Sequence, residues 1–192
     1  MKQILIGLHG LARTGKDTAA NYLVAHYLLA VYAFASPLKT ALQQMFNLTA
    51  EQLNGALKET PLAIIGKSPR ELMQLLGTEW GRHSVHNDLW LLLARQNMDN
   101  MLELQDGYLP GFVISDVRFE NEATWIRAQG GTVLHLLRPD AAAVNPHISE
   151  AGVAIHDNDF VIRNDADLPH LYAQLDHLML ILSRRQALRS AA

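Results

Sequence analysis

The segment Gly10-Leu11-Ala12-Arg13-Thr14-Gly15-Lys16 carries residue types at a spacing suited to gripping a polyphosphate. It satisfies G-x-x-x-x-G-K. The two glycines let the backbone wrap closely around phosphate oxygens with successive N–H groups turned inward. A helix starting at the lysine adds positive potential, and Lys16 has the reach to meet β- and γ-phosphates. In the usual pattern a Ser or Thr follows the lysine and touches magnesium. Here Asp17 stands in that place and Thr18 follows, so Thr18 or a water takes the Mg²⁺ contact. The plainer account, a glycine turn that only joins a strand to a helix, leaves the lysine and its register unexplained.

A second group is Arg70, Gln74 and Thr78, which recur at four-residue spacing and share a helix face, with Leu72, Met73, Leu75 and Leu76 covering much of the rest. Glu79, Trp80 and Arg82 follow at once. Two guanidiniums that fork onto a phosphate, an aromatic ring, and amide or carboxylate groups together suit a nucleotide acceptor. A purely structural account has the arginines solvated, Glu79 paired with Arg82, and Trp80 in the core.

A third is Val113-Ile114-Ser115-Asp116-Val117-Arg118, an apolar strand running into an acid and a base. Ligands of parallel α/β sheets sit at the carboxyl ends of strands, which points Asp116 and Arg118 toward the glycine loop. Asp116 suits a magnesium contact through water or orientation of the acceptor, and Arg118 suits charge neutralisation on a phosphoryl group in flight. The alternative is an Asp116–Arg118 surface pair with Glu120 capping the next helix. The 9 histidines form no recognisable metal-ligand pair at helical spacing, so no metal is assigned to histidine. No nucleophile elbow surrounds Ser149.

The elements that must position these groups read as an alternation of strands and helices. Gln3 to Leu8 is a continuous apolar run expected of a strand buried on both faces, and Ala19, Ala20, Leu23, Val24, Tyr27 and Leu28 mark a helix from Lys16 to Leu29. Val31–Ala35 predicts a second strand, closed by Ser36 as cap and Pro37 as first residue of a helix through Phe46. Residues 47–108 read as a helical insert, in which Ser68, Pro69 and Glu71 form a capping-box start. Strands are expected at Gly111–Ser115, Gly131–Leu137 and Phe160–Ile162, with helices near Asn121–Ala128 and from Leu168 past Leu182.

With 192 residues, 49% of them apolar, the chain suffices for one substantial core. Its 16 Lys+Arg against 19 Asp+Glu leave a formal charge of -3, which lacks the basic field of a non-specific nucleic-acid binder and predicts no nucleic-acid polymer as partner. The absence of cysteine excludes disulfides, thiolate nucleophiles and Cys-ligated zinc, and fits a reducing compartment. No apolar run approaches the ~18 residues that span a bilayer, so a cytoplasmic protein with no membrane partner is expected.

Gly10–Thr18 (GLARTGKDT), Phe34–Lys39 (FASPLK), Ser68–Arg82 (SPRELMQLLGTEWGR), Val113–Ala123 (VISDVRFENEA) and His147–Glu150 (HISE) together resemble the phage-type deoxynucleoside monophosphate kinases. The Asp17-Thr18 pair is ordinary for that family. The resemblance implies an α/β three-layer sandwich of the P-loop kind: a central parallel sheet of about five strands (core 1–46 and 109–183), a helical acceptor-binding insert (47–108) and a small lid (139–158). It implies transfer from ATP, with Mg²⁺, to a deoxynucleoside 5′-monophosphate, by a monomer or homodimer.

Carried over residue by residue, Gly10, Arg13, Thr14, Gly15, Lys16, Asp17 and Thr18 would hold ATP. Lys39, Arg70, Gln74, Thr78, Glu79, Trp80, Arg82, Asp88 and Trp90 would form the acceptor pocket. Lys16, Asp17, Asp116 and Arg118 would serve the transferred phosphoryl group, with Thr18 and Asp116 on the metal. His147 and Glu150 would belong to the lid, and Arg138 stands in for the lid arginines of related small kinases. The rival expectations are a kinase for another phosphorylated acceptor, such as phosphomevalonate or dephospho-coenzyme A, and a nucleotide-dependent switch with no small-molecule acceptor. No Asn-Lys-x-Asp guanine signature accompanies the loop.

Overall fold

A computed structural model describes residues 3–139 and 152–190. The chain folds as two compact units, one of residues 1–33 and 98–192, the other Phe34–Asn97.

The first unit holds a five-stranded sheet: β1 (Ile4–His9), β2 (Ala30–Tyr32), β3 (Gly111–Val117), β4 (Thr132–Leu137) and β5 (Phe160–Arg163). The order is β2-β3-β1-β4-β5 and every pairing is parallel. A parallel sheet needs both faces covered, which is why its strands read as unbroken apolar runs. Side chains alternate along β1. Ile6 and Leu8 are fully buried in a cluster with Ala19 and Leu23 of α1 (Lys16–Tyr27) and Leu171 and Leu175 of α7 (Leu168–Ser190). The opposite face of β1, at Gly7, meets Ile126 of α6 (Glu120–Ala128). The expected layering of helix, sheet and helix is therefore present.

Two local expectations change. The second strand stops at Tyr32, and α2 (Ser36–Phe46) takes Ala35, already helical at φ -77 and ψ -7, as its N-cap with no side-chain cap. Ser36 lies inside the first turn because Pro37, lacking an N–H, fits the second helical position as well as the first. The strand leading to Asp116 is longer than expected and irregular. The register slips between Gly7 paired with Ile114 and His9 paired with Val117, so Ser115 and Asp116 both stand against Leu8. An extra residue of this kind bends a strand and re-aims a side chain, and here it leaves consecutive residues Ser115 and Asp116 both half-buried.

The second unit contains α2, α3 (Ala50–Asn54), a 3₁₀ turn (Ala56–Glu59), α4 (Pro69–Gln74) and the start of α5 (Leu89–Leu104). Between α4 and α5 the chain winds as a π-helix over Leu75–Val85, where an uninterrupted α-helix is the simpler expectation. The Ser68–Glu71 capping box forms as expected: Glu71 N–H donates to Ser68 Oγ at 3.2 Å, and Ser68 N–H donates to Glu71 Oε2 at 2.7 Å. Trp90 packs against Gly81, where a Cβ would lie 2.6 Å from its ring, and its indole N–H donates to Gly77 O at 2.7 Å. The two glycines of the GTEWG run thus make room for, and bond to, one buried ring. Among the described residues no helix is long and apolar enough to cross a membrane.

Candidate active site

The glycine loop leaves β1 at the carboxyl end of the sheet's central strand and enters α1. Gly10 at φ 153 and Gly15 at φ 99 adopt conformations that L side chains rarely hold. A Cβ at Gly10 would also sit 2.5 Å from Leu136 O, so both conformation and space demand glycine there. Arg13 turns through φ 64 and its side chain is exposed. Thr14 is buried and closes the loop on itself by donating from Oγ1 to Leu11 O at 3.0 Å. Lys16 Nζ donates to Gly10 O at 2.6 Å and Leu11 O at 2.7 Å, so the ammonium lies over the loop it is meant to serve. Gly15 is the N-cap of α1 and supplies no side chain to the first-turn amides, while Asp17 is exposed and Thr18 half-buried in that turn. The helix start therefore adds its positive end to the Lys16 charge.

Asp116 lies in β3 and Arg118 just past its end, next to the strand that leads into this loop, since β3 pairs with β1 and Val117 stands opposite His9. Glu122 sets the turn that carries Arg118: its buried carboxylate accepts Arg118 N–H at 2.7 Å and Phe119 N–H at 3.1 Å. That is the work a cap does, done by Glu122 where Glu120 is the simpler expectation. Glu120 instead accepts from Arg127 Nη1 at 2.8 Å and Ala154 N–H at 2.9 Å. His9, immediately before the loop, shares its Nδ1 with Val117 O at 3.0 Å and meets the His135 ring edge-on at 5.2 Å. Burial pushes the His9 imidazole below its ordinary range, the nearby His135 and Lys16 add to this, and the Val117 carbonyl opposes it. Arg138 is exposed just past the end of β4. His147 and Glu150 lie outside the described residues.

Just before β5, Asp159 has a fully buried side chain that collects five hydrogen bonds. Two come from Arg127, at 3.2 and 2.7 Å, and the others from His135 Nε2, Val133 N–H and His156 N–H at 3.2, 3.3 and 2.9 Å. Burial alone would raise this carboxyl, but the bonds from Arg127, His156 N–H and His135 outweigh it and hold it down, at about 2.

In the second unit Lys39 Nζ donates to Asn54 Oδ1 at 2.8 Å, and Arg70 pairs through Nε with Glu59. Gln74 is half-buried on the same helix. Thr78 and Arg82 are buried, and Arg82 Nη1 donates to Asn87 O at 3.3 Å. Glu79 partners His83 at 3.3 Å, not Arg82. Trp80 is 51% exposed, so the core ring of this region is Trp90. Asp88, half-buried just before α5, donates its N–H to His86 Nδ1 at 3.0 Å.

Asn164, which bonds the glycine loop, and Glu122, which holds the Arg118 turn, carry no motif of their own.

A five-stranded parallel sheet of order 2-3-1-4-5 with a G-x-x-x-x-G-K loop at the tip of its central strand defines an α/β P-loop kinase fold. The chain belongs to the deoxynucleotide monophosphate kinase family, whose model matches residues 4–63 and 65–175. It is 27% identical over 242 aligned positions to the deoxynucleotide monophosphate kinase of Enterobacteria phage T4, covering 93% of this chain and 99% of that one. It is 34% identical to a protein of Acanthamoeba polyphaga mimivirus provisionally named deoxynucleotide monophosphate kinase, over 90% of this chain and 94% of the other. Among solved structures it resembles TT1252 of Thermus thermophilus, with a TM-score of 0.50 at 18% identity over 95% of this chain and 99% of that one, a likeness of fold.

Proposed function

We propose that this protein transfers the γ-phosphoryl group of ATP to a deoxynucleoside 5′-monophosphate, giving ADP and a deoxynucleoside diphosphate. The observation that carries the reading is the family match along residues 4–175 of a chain whose central strand ends in Gly10–Lys16. An oxygen of the acceptor monophosphate attacks the γ-phosphorus as the bond from that phosphorus to the β,γ-bridging oxygen breaks. The attacking oxygen is already anionic, so no strong general base is required, and positioning with charge neutralisation dominates.

Lys16 exchanges the Gly10 and Leu11 carbonyls for phosphate oxygens, and the loop amides hold the triphosphate, with Arg13, Thr14 and Asp17 completing that end. Arg70 and Arg82 receive the acceptor phosphate; Lys39, Gln74, Thr78, Glu79 and Asp88 orient the nucleoside. The exposed ring of Trp80 is available to its base, while Trp90 supports the helix from behind. Arg118 and Arg138 offset charge on the group in transfer.

Mg²⁺ would neutralise the β- and γ-phosphates. Among the described residues no group of three or more His, Asp or Glu side chains is placed to hold a metal. Mg²⁺ in kinases takes one or two protein oxygens and completes its shell with substrate phosphates and water. The Thr18 hydroxyl and the Asp116 carboxylate are oxygen donors of that kind, so the residues fit the ion. Both substrates are nucleotides, which fits a reaction in the cytoplasm.

The test is ADP formation from ATP-Mg²⁺ with each deoxynucleoside and ribonucleoside monophosphate in turn, with phosphomevalonate and dephospho-coenzyme A as controls. Stimulation by one or more deoxynucleotides is expected. Silence with all of them, or stimulation by a control alone, removes the reading.

A further inference from the structure

Asn164 is the first residue past β5, and it touches the glycine loop from outside. Its backbone N–H donates to Leu137 O at 2.8 Å, which ties it to the end of β4. Its side-chain Nδ2 donates to Thr14 O at 3.0 Å across 150 residues of sequence. The orientation of the carboxamide follows from its partner, since a carbonyl can only accept. The fit is close: a Cβ added to Gly15 would lie 2.5 Å from that same Nδ2.

The Thr14 carbonyl and the Gly15 N–H belong to one planar trans peptide and point in opposite directions. Holding the carbonyl on Asn164 therefore aims the Gly15 N–H away from Asn164. The loop has other internal ties, from Thr14 Oγ1 to Leu11 O and from Lys16 to the Gly10 and Leu11 carbonyls. Those bonds fix its first half. Asn164 is the tie that reaches the Thr14–Gly15 peptide, where the backbone turns through φ 99 to enter α1.

We propose that Asn164 is a positioning residue for the triphosphate: it presets the Thr14–Gly15 peptide so that the Gly15 amide meets a phosphate oxygen without reorganisation. The inference rests on the kinase reading above for its place in catalysis, but its binding consequence stands apart from any acceptor. An amide preset toward an anion binds without a reorganisation cost, whereas a peptide free to rotate must be ordered on binding.

The experiment compares wild type with Asn164→Asp, Asn164→Ala and Asn164→Ser. Asp keeps the shape but removes the donor and sets a negative charge against the Thr14 carbonyl. Ala removes the contact, and Ser offers a shorter donor. Calorimetry would measure binding of ATP-Mg²⁺ and of inorganic tripolyphosphate, a probe without base or sugar, alongside melting temperature and steady-state kinetics.

The expected result is a roughly tenfold weaker affinity for both probes in Asn164→Asp, a smaller loss in Asn164→Ala and the least in Asn164→Ser. KM for ATP should rise in the same order with KM for the acceptor unmoved. If a variant melts too early to assay, the remaining two still give the ranking. Unchanged tripolyphosphate affinity in the folded variants overturns the proposal, whether or not ATP binding or melting temperature falls, because Asn164 would then serve the nucleoside or the fold alone. A wild type that binds tripolyphosphate but phosphorylates no monophosphate would sink the kinase reading and leave the binding comparison intact.

Discussion

Lys16 does two things at the residue scale, and its replacement should separate them. Its ammonium bonds two carbonyls of its own loop, at 2.6 and 2.7 Å, and in the proposed reaction it meets the phosphates. Lys16→Ala is expected to lower kcat at least about 100-fold, equivalent to ~2.7 kcal/mol of transition-state stabilisation. Lys16→Arg, which keeps the charge but not its compact geometry, should recover only part of that. ADP release under saturating ATP and acceptor measures it; a Lys16→Ala enzyme with near-normal turnover would contradict the phosphate role. Arg82 differs because it is buried and bonded to Asn87 O. Arg82→Ala should raise the acceptor KM by an amount reflecting a lost charge-assisted pair of ~1.5–3 kcal/mol and also lower the melting temperature, since it empties a packed position. A variant with an unchanged acceptor KM and only a lower melting temperature would reassign Arg82 to the fold.

At the scale of the element, the helix that presents Arg70 and Gln74 depends on its first turn. Ser68→Ala removes the acceptor for Glu71 N–H at one end of α4 and should cost about 1 kcal/mol in urea unfolding, with little effect on ATP affinity. A loss within error would mean that Glu71 alone secures the turn. That capping box was legible in the sequence because a cap is local: Ser68, Pro69 and Glu71 specify it by themselves. The strands were legible for a similar reason, since two-sided burial demands continuous apolar runs such as Ile4–Leu8. The π-winding of Leu75–Val85 was not: its i, i+5 bonding, as in His86 N–H to Gly81 O at 3.0 Å, goes with the packing of Trp90, 13 residues on, against Gly77 and Gly81. The slip in β3 at Ser115 and Asp116 is likewise a property of two paired strands, and neither strand announces it alone. Within the site, the glycine loop could be read from its own spacing, whereas its brace Asn164 lies 150 residues away. No pattern of nearby residues marks such a contact.

Across the first unit as a whole, stability should depend on pH through Asp159. Its buried carboxylate joins α6 through Arg127, β4 through His135 and the Val133 amide, and the approach to β5 through the His156 amide, so its charge state bears on several elements at once. The folded carboxyl titrates at about 2 against an ordinary 3.8. A depressed folded value means that the unfolded chain takes up the proton first as pH falls. The stabilisation is therefore fully present above about pH 5, shrinks as pH drops through the unfolded value, and is gone below the folded one. Its full size is on the order of 2 kcal/mol, and about 1 kcal/mol of it should be lost by pH 3. Other carboxylates held below their usual range, Glu120 and Asp176 among them, contribute to the same acid limb. Asp159→Asn isolates the one group: the isosteric amide keeps the shape, cannot ionise, and leaves Arg127 with Glu120 as its remaining acid. Urea unfolding of both proteins from pH 7 to pH 3 should show the variant less stable at neutral pH, with the gap between the two narrowing by about 1 kcal/mol as the wild type loses its advantage. A gap that stays constant with pH would mean that the Asp159 carboxyl titrates alike in the folded and unfolded chain, and that the network works through shape and hydrogen bonding alone.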